Sequence, residues 1–86
     1  MYLSPRRRRE FGIVWTRGRD AKLNPCWRST EALGLTIVRK VFRVGSVGSR
    51  WTYMWVVCQN GVQFASTSRL QRAFRIAANH VVLRQS

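Results

Sequence analysis

Hydrophobic patterning is clearest in the C-terminal two thirds of the chain. Residues 35–44 (LTIVRKVFRV) are rich in β-branched side chains and read as a strand. Residues 51–58 (WTYMWVVC) form a second such run, and residues 62–66 a third, with Asn60-Gly61 between them. Asn-Gly accepts the two positive φ angles of a tight hairpin turn, so the second and third runs are predicted to pair antiparallel. The loop 45–49 (GSVGS) lets the first run turn back onto the second. Ser66, Thr67 and Ser68 then offer hydroxyls to cap a helix expected from residue 69 to about 80. Leu70, Ala73, Phe74, Ala77 and Val81 recur at helical spacing and make one apolar stripe, with Arg69, Arg72, Arg75 and Asn79 off it. Val81, Val82 and Leu83 either prolong the helix or pack as an extended end.

The N-terminal half is less regular. Residues 1–9 read as a basic arm, because Pro5 and the repulsion within Arg6, Arg7, Arg8 and Arg9 both oppose regular structure. Residues 11–16 (FGIVWT) read as a strand with Gly12 as a bulge. Residues 17–20 (RGRD) look like a turn, Asn24-Pro25 like a second break, and 26–28 like a short strand that pairs back. Ser29 is placed to cap a single helical turn over 30–33, stopped by Gly34. WRSTEAL at 27–33 echoes FASTSRL at 64–70, which leaves open an internal duplication. The fold class predicted is α+β: a three-stranded antiparallel sheet packed on one C-terminal helix (core unit 34–80), with an N-terminal basic arm and an additional strand or hairpin in a single small domain, 10–86.

The hairpin turn sets a register. Gln59 is expected opposite Val62, Val57 opposite Phe64, and Trp55 opposite Ser66. Alternation then puts Trp51, Tyr53, Trp55, Val57 and Phe64 on one face, where the helix stripe should cover them. Thr52, Met54, Val56, Gln63, Ala65 and Thr67 take the other. If the loop brings Val44 opposite Trp51, Arg43 lies across from Thr52 and Arg39 from Val56, both on the face away from the helix. Val38, Phe42 and Val44 then join the aromatic face, with Lys40 at its margin.

Charge narrows the function. The chain has 86 residues, and 16 Lys and Arg stand against 3 acids, a net charge of +13. Such an excess repels itself unless a polyanion relieves it, and nucleic acid is the polyanion expected, DNA ahead of RNA. A hydrophobic content of 45% argues that most of the chain folds. There is no apolar run long enough to span a bilayer and no h-region behind the basic start, so neither a membrane partner nor a secretory signal is expected. The location expected is the cytoplasm, on the nucleoid. Cys26 and Cys58 are too few for a disulfide framework and, with His80 alone, too scattered for a zinc site; no metal or other cofactor is expected. Glu10, Asp20, Glu31, His80 and the cysteines fall in separate segments with no nucleophile–base spacing, so an enzyme is not expected.

In this reading Arg6, Arg7, Arg8 and Arg9 neutralise phosphates or lie in a groove. Arg39 and Arg43 fork to guanine edges or phosphates from the open sheet face. Arg50, Arg69, Arg72 and Arg75 hold the flanking backbone.

GLTIVRKVFRV, SRWTYMWVVCQNGVQFASTS and LQRAFRIAA together resemble the APETALA-type (ethylene-response-factor) DNA-binding domain and its prokaryotic and phage relatives, over about residues 34–80. The similar features are the glycine opening the first strand, the Arg-rich first strand, R-W-x-x-x-W on the second, the N-G turn, and A-F-x-x-A-A on the helix. The resemblance implies a non-enzymatic factor of phage or mobile-element type that reads the major groove of duplex DNA through the open sheet face. By position its readers would be Arg39, Arg43, Thr52, Met54, Val56 and Gln63. The sequence departs from that pattern in holding apolar Met54, Val56 and Ala65 where polar or charged residues are usual, and in a short turn before the helix.

Two other functions stay open at this level. An RNA-binding or ribosome-associated protein would stack unpaired bases on Tyr2, Phe11, Trp15 and Trp27. A small inhibitor would dock on a host protein through Met54, Val56 and Ala65 rimmed by Arg. So small a core beside so much aromatic surface also fits a homodimer.

Overall fold

The computed structural model describes residues 6–30, 32–45, 48 and 50–85, the last four by backbone alone. Residues 1–5 of the expected arm with Tyr2, Glu31 of the expected helical turn, and Ser46, Val47 and Ser49 of the loop lie outside the described residues. Six strands follow one another: β1 (Arg7–Glu10), β2 (Ile13–Arg19), β3 (Pro25–Arg28), β4 (Leu35–Val44), β5 (Arg50–Gln59) and β6 (Val62–Thr67); the helix α1 (Leu70–Gln85) ends the chain. The strands pair antiparallel in chain order as one sheet. The architecture is therefore α+β with one C-terminal helix, and the sheet has six strands where three were expected.

The connections explain why chain order is kept. Asn60 and Gly61, at φ 51° and 83°, make the tight turn between β5 and β6 that their identities predict. Phe11 and Gly12, at φ 52° and 80°, repeat that device between β1 and β2. Phe11-Gly12 is thus a hairpin turn, not the start of a bulged strand, and three of the residues expected in a loose arm, Arg7, Arg8 and Arg9, form an edge strand. Residues 17–19 continue β2 instead of turning. The turn comes at Asp20, whose carboxylate accepts the backbone N–H groups of Lys22 (2.9 Å) and Asn24 (2.8 Å). Those bonds, the one from Asn24 first, hold the Asp20 carboxyl below the usual aspartate range.

Between β3 and β4, Ser29 Oγ accepts the Leu35 N–H at 3.0 Å, and the N–H groups of Leu33 and Gly34 both reach the Thr30 carbonyl. Gly34 sits at φ 64° and its carbonyl accepts the Asn60 N–H at 2.8 Å, tying this turn to the β5–β6 turn. A Cβ at Gly34 would run into the Asn60 side-chain amide. Gly34→Ala is expected to cost about 1–3 kcal/mol, from left-handed strain plus displacement of Asn60. A urea midpoint that falls with an unchanged m-value would show it.

Two registers differ from expectation, each with a large consequence. Val44 pairs with Arg50, not Trp51, so Arg43 lies opposite Trp51 and Arg39 opposite Trp55. A one-residue slip moves every side chain to the other face. Arg39 and Arg43 therefore lie on the helix side, while Val38, Lys40, Phe42 and Val44 lie on the open side. Between β5 and β6, Gln59 meets Val62 as expected and Cys58 meets Gln63. A bulge then brings Ala65 opposite Val57, Ser66 opposite Val56 and Thr67 opposite Trp55. Ala65 and Thr67 thereby cross to the helix side.

The core lies between sheet and helix. Ile13, Trp15, Trp27, Leu35, Ile37 and Val57 from the sheet meet Ala73, Phe74, Ala77 and Ala78, with Leu70 and Val81 packed at the margin. The expected apolar stripe is thus the buried one. Small Ala73, Ala77 and Ala78 let the helix backbone approach β4, β5 and β6. Phe74 reaches the tryptophans of β2 and β3, its ring 5.2 Å from Trp15 and 5.7 Å from Trp27. Thr67 Oγ1 accepts the Arg69 N–H at 3.4 Å, a hydroxyl turn just before the helix, and the Arg69 carbonyl accepts the Ala73 N–H, so Arg69 takes the cap position that the hydroxyls were expected to fill.

Candidate nucleic-acid interface

Alternation along the paired strands assigns each side chain to one of two sides. The helix side is defined by the core. On the open side, successive rows across the sheet read Arg7–Thr16–Arg28–Thr36–Cys58–Gln63, then Gly18–Cys26–Val38–Val56–Ser66, then Lys40–Met54, Phe42–Thr52 and Val44–Arg50; Arg9 and Val14 form a further pair. The second row is small and apolar, and Cys26 and Val56 are almost fully buried within it although neither belongs to the helix-side core. Burial raises the Cys26 thiol pKa. Cations flank that row: Arg7, Arg9 and Arg28 toward one end, Lys40 and Arg50 toward the other, all exposed. Asp20, in the β2–β3 turn, is close enough to Lys40 and Cys26 to act on them electrostatically, and it is the one acid near this side among the described residues.

Both described acids are held by hydrogen bonds. Glu10 lies on the helix side, where its carboxylate takes the Arg8 Nε–H at 2.6 Å and the Gln71 amide at 3.1 Å; these bonds, Arg8 first, hold its pKa down. Asp20 is held by its own turn and lies near Lys40. Its one negative charge is set against the five cations of the open side, which therefore keeps a positive excess among the described residues.

Beyond residue 38 of β4 and before residue 55 of β5, neither β3 nor β6 reaches alongside. Residues 39–44 and 50–54 thus project as a two-stranded ribbon, about 20 Å long at strand rise. Its open side carries Lys40, Phe42, Val44, Arg50, Thr52 and Met54.

The residues expected to bind nucleic acid divide accordingly. Arg7, Arg9, Arg50, Thr52, Met54 and Gln63 share the open side; so does Val56, but it is 0% exposed and cannot touch a ligand. Arg8 turns to the helix side, where its guanidinium caps the core 5.2 Å from the Phe74 ring centroid and 5.9 Å from that of Trp27. Arg6 is exposed at the sheet edge. Arg69, Arg72 and Arg75 are exposed on the helix, away from the open side, and Arg75 lies 5.8 Å from the Phe11 ring. Arg39 and Arg43 are corrected to the helix side, as above.

Arg28, Lys40, Thr16 and Thr36 complete the open side without having been singled out. The signal for Arg28 was its place in a short strand flanked by two turns. Neither alternative patch survives as drawn. Trp15 and Trp27 are buried core residues, which leaves Phe11 exposed among the aromatics expected to stack, with Tyr2 outside the described residues. Of Met54, Val56 and Ala65, Val56 is buried and Ala65 packs against the opposite side.

His80 has a part in the fold. Its ring stacks on Phe64 at 3.9 Å and its Nε2 lies 2.9 Å from the Gln59 side-chain oxygen. Gln59 in turn donates to the Leu33 carbonyl at 3.2 Å, linking the helix to the β3–β4 turn. Among the described residues no three His, Cys, Asp or Glu side chains gather as a metal site, and no helix is long and apolar enough to cross a membrane. Comparisons with protein-family models, curated proteins and solved structures give no significant match.

Proposed function

We propose that this protein binds duplex DNA as a non-enzymatic module, through the open side of its sheet. The observation that carries the reading is the set Arg7, Arg9, Arg28, Lys40 and Arg50, five exposed cations on one side of the sheet, where Asp20, near Lys40, is the one acid close by among the described residues. Phosphate contacts of that kind position a protein on a duplex, whatever the sequence beneath. The ribbon supplies a means of base contact. Two strand axes about 5 Å apart, with their side chains, fit the roughly 12 Å major groove of B-DNA, whereas the deep, narrow groove of duplex RNA excludes them. Within the groove Lys40 and Arg50 suit guanine edges, while Phe42, Val44 and Met54 suit thymine methyls.

Five neutralised phosphates predict that log K falls against log salt with a slope near −4.5. Position is tested by a thiol already in place. Cys58 lies in the row of Arg28, Thr36 and Gln63 and is half-buried, while Cys26 is 1% exposed and serves as an internal control. Duplex DNA is expected to slow alkylation of Cys58 severalfold and leave the already slow Cys26 unchanged. A flat salt response, or full Cys58 reactivity in a saturated complex, would refute the reading.

A further inference from the structure

The ribbon has a second side. There the register sets Arg39 opposite Trp55, Val41 opposite Tyr53 and Arg43 opposite Trp51, on the helix side of the sheet. Trp55 is packed against the core, but Trp51 is 69% exposed, Val41 56% and Tyr53 49%. Two large rings thus stand uncovered on one strand, two residues and about 7 Å apart. The Arg39 guanidinium lies 5.3 Å from the Tyr53 ring centroid. A cation over an aromatic face keeps its N–H groups available at the edge for phosphate oxygens.

We infer that this side of the ribbon binds single-stranded nucleic acid, with Trp51 and Tyr53 each stacking an unpaired base and Arg39 and Arg43 beside its phosphates. Three features select that occupant. Aromatic faces exposed on a flat ribbon suit bases freed from pairing, since every base offers a π-face. The interleaved arginines suit a polyanion. A second copy of this chain would bring its own net +13 against the same surface, which opposes self-association there. The inference rests on residues other than those of the duplex proposal, and the two surfaces face opposite ways from the ribbon, so both can be filled together.

The test titrates the full chain with labelled oligo-dT, oligo-U and an abasic oligomer of equal length, and separately with duplex DNA. Stacking predicts that dT or U binds at least tenfold more tightly than the abasic chain and quenches tryptophan emission; the dT and U arms show whether DNA or RNA is preferred. Trp51→Ala and Tyr53→Ala are each expected to weaken single-strand binding about 5- to 100-fold, the factor that corresponds to one lost base stack. Trp51→Phe should retain most of it, and duplex affinity should stay within about twofold. Equal affinity for the abasic oligomer would overturn the inference, as would unchanged single-strand binding in the Trp51→Ala, Tyr53→Ala double variant. A dimer in sedimentation that the double variant converts to monomer would overturn it in favour of a second copy as occupant. Loss of duplex binding alone, with single-strand binding intact, would refute the duplex proposal and support this one.

Discussion

Phe74→Ala is expected to remove about 3–5 kcal/mol of stability, the range for deleting a large ring from a packed core. A chain of 86 residues has only about 4–13 kcal/mol in total, so the variant should be substantially unfolded or close to it. The position is costly because neighbours cannot close the gap. Phe74 is fully buried, and its ring meets Trp15 at 53° and Trp27 at 75°, tilted contacts that no smaller side chain reproduces. The three alanines beside it on α1 bring no volume inward. Above it the Arg8 guanidinium would lose the ring it covers. Urea unfolding followed by tryptophan emission reads the effect directly, because Trp15 and Trp27 border the cavity. Phe74→Leu fills part of the space and should lose less than half as much. A fall under about 1 kcal/mol for the alanine variant would mean that the tryptophans are not organised around Phe74.

What the sequence disclosed, and what it hid, follows from which signals carry parity. Asn60-Gly61 fixes both a turn and its starting register, so the pairing of Gln59 with Val62 was legible. The stripe of α1 was legible because helical spacing leaves one buried solution for Leu70, Ala73, Phe74 and Ala77. Loop 45–49 carries no such constraint. Its glycines permit Val44 to meet either Arg50 or Trp51, and that one residue decides which side Arg39 and Arg43 face. The bulge past Cys58 was equally silent, since Phe64 and Ala65 are both apolar and either could point inward.

In the N-terminal half the obstacle was composition. Four consecutive arginines show no alternation, yet they split: Arg8 lies over the core while Arg7 and Arg9 face out, because an edge strand needs only one side covered. Ile13 and Trp15 do alternate with Val14 and Thr16, and that pattern, given more weight than the aromatic character of Trp15, points to burial. Of the candidate site, the open side's chemistry was legible in kind, as arginine on a sheet. Its members were not, because the side that Arg28 and Lys40 take depends on the registers of the β2–β3 and β4–β5 pairings, which the loops between those strands leave open.

The same net charge removed from two places should give two different results. Replacing Arg7, Arg9 and Arg28 by Gln takes three cations from the open side; replacing Arg69, Arg72 and Arg75 by Gln takes three from the helix. Loss of three phosphate contacts is expected to make the salt slope shallower by about 2.7, which at about 0.15 M salt is roughly a hundredfold in duplex affinity. At about 1 M salt the variant and the parent should converge, because counterion release then contributes little. The helix arginines lie on the other side of a molecule 22 Å across in its thinnest direction. With a Debye length of about 8 Å at physiological ionic strength their field at the open side is largely screened, and the second variant should bind within about twofold of the parent. None of the six side chains lies inside the core, so both variants should fold. Equal losses in the two variants would mean that bulk charge, not the open side, attracts DNA. A larger loss from the helix variant would place the duplex on the opposite side of the molecule.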